Sequence, residues 1–345
     1  MGMGGLRPIS NPPNPWRSTE VEYLEEIPDA QLEVYEDHTR EILAHNDSPD
    51  VGFDWSVNPY RGCFHACAYC YARPTHEYLG LGAGTDFDRK ITVKPDAPRL
   101  LREAFEKRSW KGELVVFSGV TDCYQPLEAA YRLTRGCLEV CAEYRNPVGI
   151  ITKAPLIERD LDVLLRLAEV SSVHATVSIP IWDREHAHAI EPYVATPQRR
   201  MQTVARLAQA GIDVGVNIAP IIPGLSDADV PQILEAAHAA GAKRAGYVFL
   251  RLPGSVAQVF EQRIREALPL RAERILHRVR EARRGKLYDS RWGVRGRGEG
   301  EYAEVIHALF DSTVRRLGMN QGCHGSDRDD TFVRPGRGRQ LPLLE

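Results

Sequence analysis

From Phe53 to about Leu250, short apolar runs rich in β-branched and aromatic residues alternate with longer stretches in which apolar residues recur every three or four positions. The runs predict six strands, over residues 53–57, 114–118, 148–152, 173–179, 213–219 and 245–250. Their continuous apolar character suits strands buried on both faces of a parallel sheet. The intervening periodicity predicts amphipathic helices over 98–108, 127–144, 160–168, 197–210 and 227–240. Two of these run into Gly211 and Gly241, residues that favour a helix C-terminus. Strand and helix in alternation mean repeated βα units on a parallel sheet, closed as a partial or full barrel or open as a doubly wound sheet. In each case the functional edge lies at the carboxyl ends of the strands.

Beyond Pro253 the alternation stops, and helices are predicted over 256–267, 271–284 and 302–317, joined by loops rich in Gly and Arg. Ahead of the first strand the chain is Pro-rich, then acidic, with too few apolar positions for a core of its own. Three regions follow: an N-terminal extension (1–50), a βα core (51–252) and a C-terminal helical region with a polar tail (253–345). Composition acts mainly by exclusion. A chain of 345 residues that is 43% hydrophobic can bury a large core. No run approaches the ~18 apolar residues of a membrane helix, and Met1 to Pro15 holds no apolar signal-peptide core. A cytoplasmic protein without membrane association is expected. The formal charge of -3 argues against bulk attraction to nucleic acid. Seven cysteines, an odd number without an export signal, favour metal binding or buried thiols over a disulfide framework.

The chemistry concentrates in Asn58-Pro-Tyr-Arg-Gly-Cys63-Phe-His-Ala-Cys67-Ala-Tyr-Cys70-Tyr71, just after the first predicted strand. Thiolates are soft ligands that select iron–sulfur clusters or zinc. Structural zinc sites and electron-transfer clusters usually close on a fourth protein ligand, whereas three cysteines leave one metal corner open. His65 or His76 could complete a Cys₃His zinc site, and Cys323-His324 is a more distant contributor. Cys137 and Cys141, four apart on one predicted helix, share a face and are expected to be buried.

Cys63-x₃-Cys67-x₂-Cys70, with an aromatic residue before the last cysteine, matches the signature of the radical S-adenosylmethionine (SAM) superfamily, and the chain resembles the branch that includes spore photoproduct lyase. The likeness runs over roughly residues 53–250 through Phe117-Ser-Gly-Val-Thr-Asp122, Ile151-Thr-Lys153, Ser178-Ile-Pro with Glu191-Pro192, and Ala219-Pro-Ile-Ile-Pro-Gly224. It implies an α/β fold, a partial (β/α)6 TIM-type barrel of parallel strands with an N-terminal extension and C-terminal helices. It also implies a [4Fe-4S] cluster on Cys63, Cys67 and Cys70, with SAM chelating the fourth iron and cleaved reductively to a 5′-deoxyadenosyl radical. An electron donor such as flavodoxin or ferredoxin goes with that chemistry.

By the same resemblance, Ser118, Thr121 and Asp122 grip the SAM amino group and ribose, though such residues after a strand also cap the next helix. Lys153, ending an apolar strand, meets the SAM carboxylate or a neighbouring loop. Ser178 hydrogen-bonds the carboxylate or ribose, and Ala219 offers main-chain groups to the adenine. Tyr69 and Tyr71 lie near SAM, with Tyr71 the candidate for radical transfer; aromatics there also shield a cluster. One position departs from the pattern. Gly119 stands where the lyase has a hydrogen-donating cysteine, so Cys123 is the candidate replacement, against the ordinary expectation that such a thiol is packed.

The substrate is not identified by sequence. Arg283, Arg284, Lys286, Arg291, Arg295 and Arg297, interleaved with Tyr288 and Trp292, suit contact with nucleic acid, or else form a solvated surface balanced by Glu281 and Asp289. Two function classes stand: a radical SAM enzyme, with lyase-like action on nucleic acid or another radical modification, and a nonenzymatic Fe–S or zinc protein with structural or redox-sensing cysteines.

Overall fold

The computed structural model describes residues 31–321 and 330–335. Ten strands are present among them: β1 (Glu33–Glu36), β2 (Leu43–His45), β3 (Trp55–Val57), β4 (Tyr60–Arg61), β5 (Lys90–Val93), β6 (Val115–Phe117), β7 (Val148–Thr152), β8 (Val173–Ser178), β9 (Asp213–Ile221) and β10 (Arg244–Phe249). Six of them, β3 and β6 to β10, pair in parallel in the order β10-β9-β8-β7-β6-β3, and β2 adds an antiparallel edge on β3. Consecutive strands are neighbours throughout, with no reversal of strand order. That is barrel winding, not the doubly wound alternative. The sheet ends at β10 and β2, which do not pair, so the barrel is partial.

The helices are α1 (Thr85–Arg89), α2 (Ala97–Glu106), α3 (Glu128–Tyr131), α4 (Leu133–Tyr144), α5 (Leu161–Val170), α6 (Arg184–Ile190), α7 (Pro197–Gln209), α8 (Val230–Ala239), α9 (Val256–Ala267), α10 (Pro269–Glu281) and α11 (Glu301–Leu317). Their apolar faces, such as Leu100, Leu101 and Phe105 of α2 or Val163, Leu164 and Leu167 of α5, close over Val115, Phe117, Val148, Ile150 and Val177 of the sheet. Cys137 and Cys141 are fully buried on α4, as their spacing predicts. The single helix expected over 127–144 is broken, because Arg132 adopts a left-handed φ of 52° between α3 and α4.

Two features were not expected. Residues of the N-terminal extension enter sheets: β2 extends the barrel, and β1 pairs in parallel with β5, which also pairs with β4. The C-terminal helices are not a separate layer. Val256, Phe260, Ile275 and Leu276 of α9 and α10 form one apolar cluster with Cys67, Tyr69 and Ile190, while α11 packs on α8. A last segment, 330–335, docks beside α2, where Arg334 donates to the carbonyls of Phe105 (3.0 Å), Lys107 (2.8 Å) and Trp110 (2.8 Å). Arg334 is thus a structural cation. Among the described residues no helix is long and apolar enough to cross a membrane.

Candidate active site

The loop carrying the three cysteines begins at the carboxyl end of β3, where the βα pattern places functional groups. Gly62 opens it with a φ of +80°, and a Cβ there would lie 2.9 Å from the His76 ring and 3.0 Å from the Phe87 carbonyl, so only glycine fits. The Gly62 carbonyl accepts from Thr121 Oγ1 (2.7 Å) and Gln125 Nε2 (3.1 Å), and Gln125 Oε1 accepts from the Phe64 amide (3.0 Å). Further along, Ala68 N donates to Ile190 O at 3.0 Å. Arg73, fully buried, donates to the Cys67 carbonyl through Nε (3.1 Å) and Nη2 (2.9 Å), to Ala83 and Gly84, and to Asp88 at 2.8 Å. The loop is therefore held mainly by its backbone, while of the thiols Cys63 shares a hydrogen bond with His65 and Cys70 one with the Ala72 backbone.

Both histidines considered as a fourth ligand have other partners. His76 Nε2 lies 2.8 Å from the Lys90 carbonyl, and His65, whose Nδ1 lies 3.5 Å from Asp122, also hydrogen-bonds Cys63. Burial opposes a charge on His65, but the Cys63 sulfur and Asp122 outweigh it and push its pKa up to about 10. Cys323 and His324 lie outside the described residues. Among the described residues, no three Cys, His, Asp or Glu side chains converge closely enough to share one metal ion. Zinc with its Zn–S bonds of about 2.3 Å needs such convergence, whereas a multinuclear cluster spreads its thiolates over separate irons.

The cysteines open onto a cavity of about 270 Å³. Tyr69, Tyr71, Ser118, Thr121, Asp122, Lys153, Ser178 and Ala219, all singled out from the sequence, line it too. Ser118 holds a left-handed φ of 85°, and its hydroxyl accepts from Cys123 N at 3.1 Å. Asp122 is a knot between strand ends. It accepts from Tyr124 N (2.9 Å), Thr152 Oγ1 (2.7 Å) and Lys153 N (2.7 Å) as well as facing His65. Against burial, His65 and these bonds hold its carboxyl down at about 2. Thr121 likewise spends its hydroxyl proton on the loop.

Lys153 differs, because among the described residues its ammonium makes no hydrogen bond or ion pair and instead lies 5.7 Å from the centre of the Tyr69 ring. Burial works against its charge, but Cys67 and Glu191 raise its pKa above the usual lysine value. Tyr69 donates to Glu191, whose other oxygen accepts from Arg200 Nη2 at 2.5 Å, and Arg200 Nη1 reaches the Ser178 carbonyl at 2.9 Å. This buried chain joins the cysteine loop to the ends of β8 and α6. Glu191 stood in a flagged motif; Arg200, on the inner face of α7, carried no sequence signal.

Tyr71 is half exposed at the cavity, and its hydroxyl donates to the carbonyl of Gly119. Cys123 is placed elsewhere: its thiol is fully buried in the main core and does not line the cavity, and burial pushes its pKa well up. The basic stretch is largely consumed within the protein. Arg283 donates to Leu250 and Arg295 carbonyls, Arg284 and Arg291 pair with Glu299, Arg291 also with Asp289, and Arg295 with Asp50. Sequence reasoning missed two polar lining residues. Asn217 of β9 has a buried Oδ1 without a partner, and Arg251, two residues past β10, has a buried Nε without one. Asn217 could have been noticed as a polar side chain inside an otherwise apolar strand, whereas nothing in the sequence marks Arg251 as lacking a partner.

Comparison with known proteins agrees with this geometry. An uncharacterised protein of Mycobacterium tuberculosis (strain ATCC 25618 / H37Rv) is 39% identical over 205 residues, 59% of this chain and 60% of its own, so the chain spans about 60% of that relative. A radical SAM Nα-GlyT isomerase of Pseudomonas phage M6 is 24% identical over 188 residues, covering 54% of this chain and 37% of its own. In fold, the chain is similar to spore photoproduct lyase complexed with dinucleoside spore photoproduct, at a TM-score of 0.57 and 15% identity, covering 83% and 80% of the two chains. The model of the radical SAM superfamily matches residues 57–237, just over half the sequence and the stretch that builds the cysteine loop and four of the six barrel strands, β6 to β9. With that match, the chain belongs to the radical SAM superfamily.

Proposed function

We propose that this chain binds a [4Fe-4S] cluster and SAM, the cofactors of its superfamily, and uses them for radical chemistry on a substrate held at the carboxyl ends of the barrel strands. The single observation that carries the reading is the placement of three thiols on one cavity together with an ammonium that, among the described residues, makes no ion pair. The donor set fits both groups. Cys63, Cys67 and Cys70 would hold three irons and leave one free, Lys153 supplies the countercharge for a carboxylate, and the orphaned Oδ1 of Asn217 accepts a hydrogen bond from a nucleoside edge or hydroxyl. When bound, the cofactors supply reductive cleavage of a sulfonium bond and a 5′-deoxyadenosyl radical.

The protein's own part is positioning and exclusion of water. Arg73, Gln125 and Thr121 fix the loop, Asp122 ties it to the ends of β6 and β7, and the Tyr69–Glu191–Arg200 chain anchors its far side. Ser178 and Ala219 face the cavity beside Asn217. Tyr71, held over Gly119, is the side chain we assign to hydrogen transfer at the substrate, in place of the cysteine found there in the lyase. The similarity in fold to a lyase seen with a dinucleoside supports a lyase-like action on a nucleic-acid component.

Anaerobic reconstitution with iron and sulfide, followed by reduction in the presence of SAM, tests the reading. Release of 5′-deoxyadenosine is expected, with loss in Cys63→Ala, Cys67→Ala or Cys70→Ala. A protein that carries zinc, or a reduced cluster that leaves SAM intact, would overturn it.

A further inference from the structure

Arg251 is unusual among the arginines near the cavity. Arg283, Arg284, Arg291 and Arg295 are each engaged by carbonyls or carboxylates. Among the described residues the Arg251 guanidinium has neither a hydrogen bond nor an ion pair. Its Nε is buried and without an acceptor, although a buried donor left unmade is costly. Its one recorded partner is the Tyr71 ring, 5.3 Å from the guanidinium carbon. Asp50 senses its charge, but the Asp50 oxygens are held by Gly293 N and Arg295. Leu250, just before it, is pinned by Arg283 through its carbonyl at 2.7 Å, so the backbone that carries Arg251 is fixed.

The cavity thus holds two unpaired cations, Lys153 beside Tyr69 and Arg251 beside Tyr71. The carboxylate of SAM accounts for one of them. A guanidinium presents parallel donors that match the paired oxygens of a phosphate or carboxylate, a fit that the point charge of lysine lacks. Next to it, Tyr71 exposes half of a flat ring of the kind on which nucleobases stack. An oxyanion and a planar ring offered together describe a nucleotide.

We infer that Arg251 and Tyr71 are the substrate-recognition pair of this site, Arg251 taking a phosphate group and Tyr71 the adjoining base of a nucleotide substrate. The inference rests on the function proposed above and names the group by which the substrate is read. Neither Arg251 nor its stack on Tyr71 belongs to the cofactor-binding positions identified from the sequence.

The test uses the full chain, reconstituted anaerobically with SAM, and fluorescence anisotropy of a labelled oligothymidylate with either a phosphodiester or an uncharged methylphosphonate backbone. The phosphodiester probe is expected to bind more tightly, and Arg251→Gln to weaken it about tenfold to a hundredfold, the range of a charge-assisted hydrogen bond. The same substitution leaves the methylphosphonate probe unmoved. Tyr71→Phe keeps phosphodiester binding and Tyr71→Leu weakens it, separating the ring from its hydroxyl. Thymidine monophosphate serves as competitor: Arg251-dependent competition assigns the phosphate to a free nucleotide, and its absence to a polymer. The proposal is overturned if Arg251→Gln binds the phosphodiester probe as the unaltered chain does, if both backbones weaken equally, or if neither probe nor competitor binds. Iron content and thermal melting of each variant show whether it is folded and loaded. Release of 5′-deoxyadenosine by the unaltered protein, measured on the same preparation, keeps failure of this inference distinct from failure of the function it rests on.

Discussion

Every donor of Arg73 is directed at a backbone carbonyl of the cysteine loop or its neighbour, or at Asp88, and the side chain is fully buried. Asp88 is the one carboxylate paired with it among the described residues. Asp88→Asn therefore leaves a buried cation uncompensated, and breaking such a pair costs about 3–5 kcal/mol. Urea denaturation of the variant should show a loss of that size, and a change below about 1 kcal/mol, the range of a surface pair, would mean that Asp88 is not the partner that matters. Gly62→Ala acts through the backbone. Its Cβ meets the His76 ring and the Phe87 carbonyl in a conformation that costs an L-residue about 1–2 kcal/mol before any collision. Reduced iron incorporation is expected, read as iron per chain, with the barrel strands still formed by circular dichroism. At this scale the cysteines were legible because their spacing is local. Lys153, Ser178 and Ala219 were legible because each ends an apolar run. Arg251 was not, since the absence of a partner is a property of the folded chain.

Among the elements, the six barrel strands stand where the apolar runs predict, each bound within a few residues. The discrepancies have local causes. A left-handed Arg132 splits the helix expected over 127–144, and β9 runs to Ile221, two residues past its expected end, with a register shift against β10. The acidic N-terminal extension could not be assigned because its strands pair with partners far along the chain, β1 with β5 and β2 with β3. Of the basic stretch, the Arg291–Asp289 pair is local, whereas Asp50, which neutralises Arg295, is 245 residues away and could not be read from the sequence. Gly293 N, Arg295 and Asp50 form a latch between the segment containing Val51 and Phe53, which line the cavity, and the loop before α11. Asp50→Ala should open this latch locally. Amide exchange is expected to quicken over residues 46–54 and 289–297 with little change in β7 and β8, since segments with few buried contacts open independently of the core. Uniform acceleration across the barrel would contradict that picture.

At the level of the whole molecule, two environments divide the six described cysteines. Cys123, Cys137 and Cys141 are fully buried among core side chains, with burial pushing each thiol well up. Cys63, Cys67 and Cys70 differ in lining a cavity open enough to admit a ligand, although burial raises the Cys67 thiol too and pushes Cys70 up to about 11. A reagent small enough to enter should distinguish them without any assay of catalysis. In the metal-free folded protein at alkaline pH, where the raised thiols of Cys67 and Cys70 begin to ionise, iodoacetamide is expected to label Cys63, Cys67 and Cys70 and to spare Cys123, Cys137 and Cys141, as read by peptide mass spectrometry. After reconstitution the first three should be protected and the others unchanged, because the metal occupies the thiolates that line the cavity. The loop's own ties, Arg73 to Cys67, Thr121 to Gly62 and Ala68 to Ile190, do not pass through the thiols. Removing iron with a chelator should therefore lower the melting temperature while leaving far-ultraviolet circular dichroism intact. Collapse of the strands on chelation, or labelling of Cys137 as fast as Cys63, would show that the cavity is a product of the cluster and not of the barrel that surrounds it.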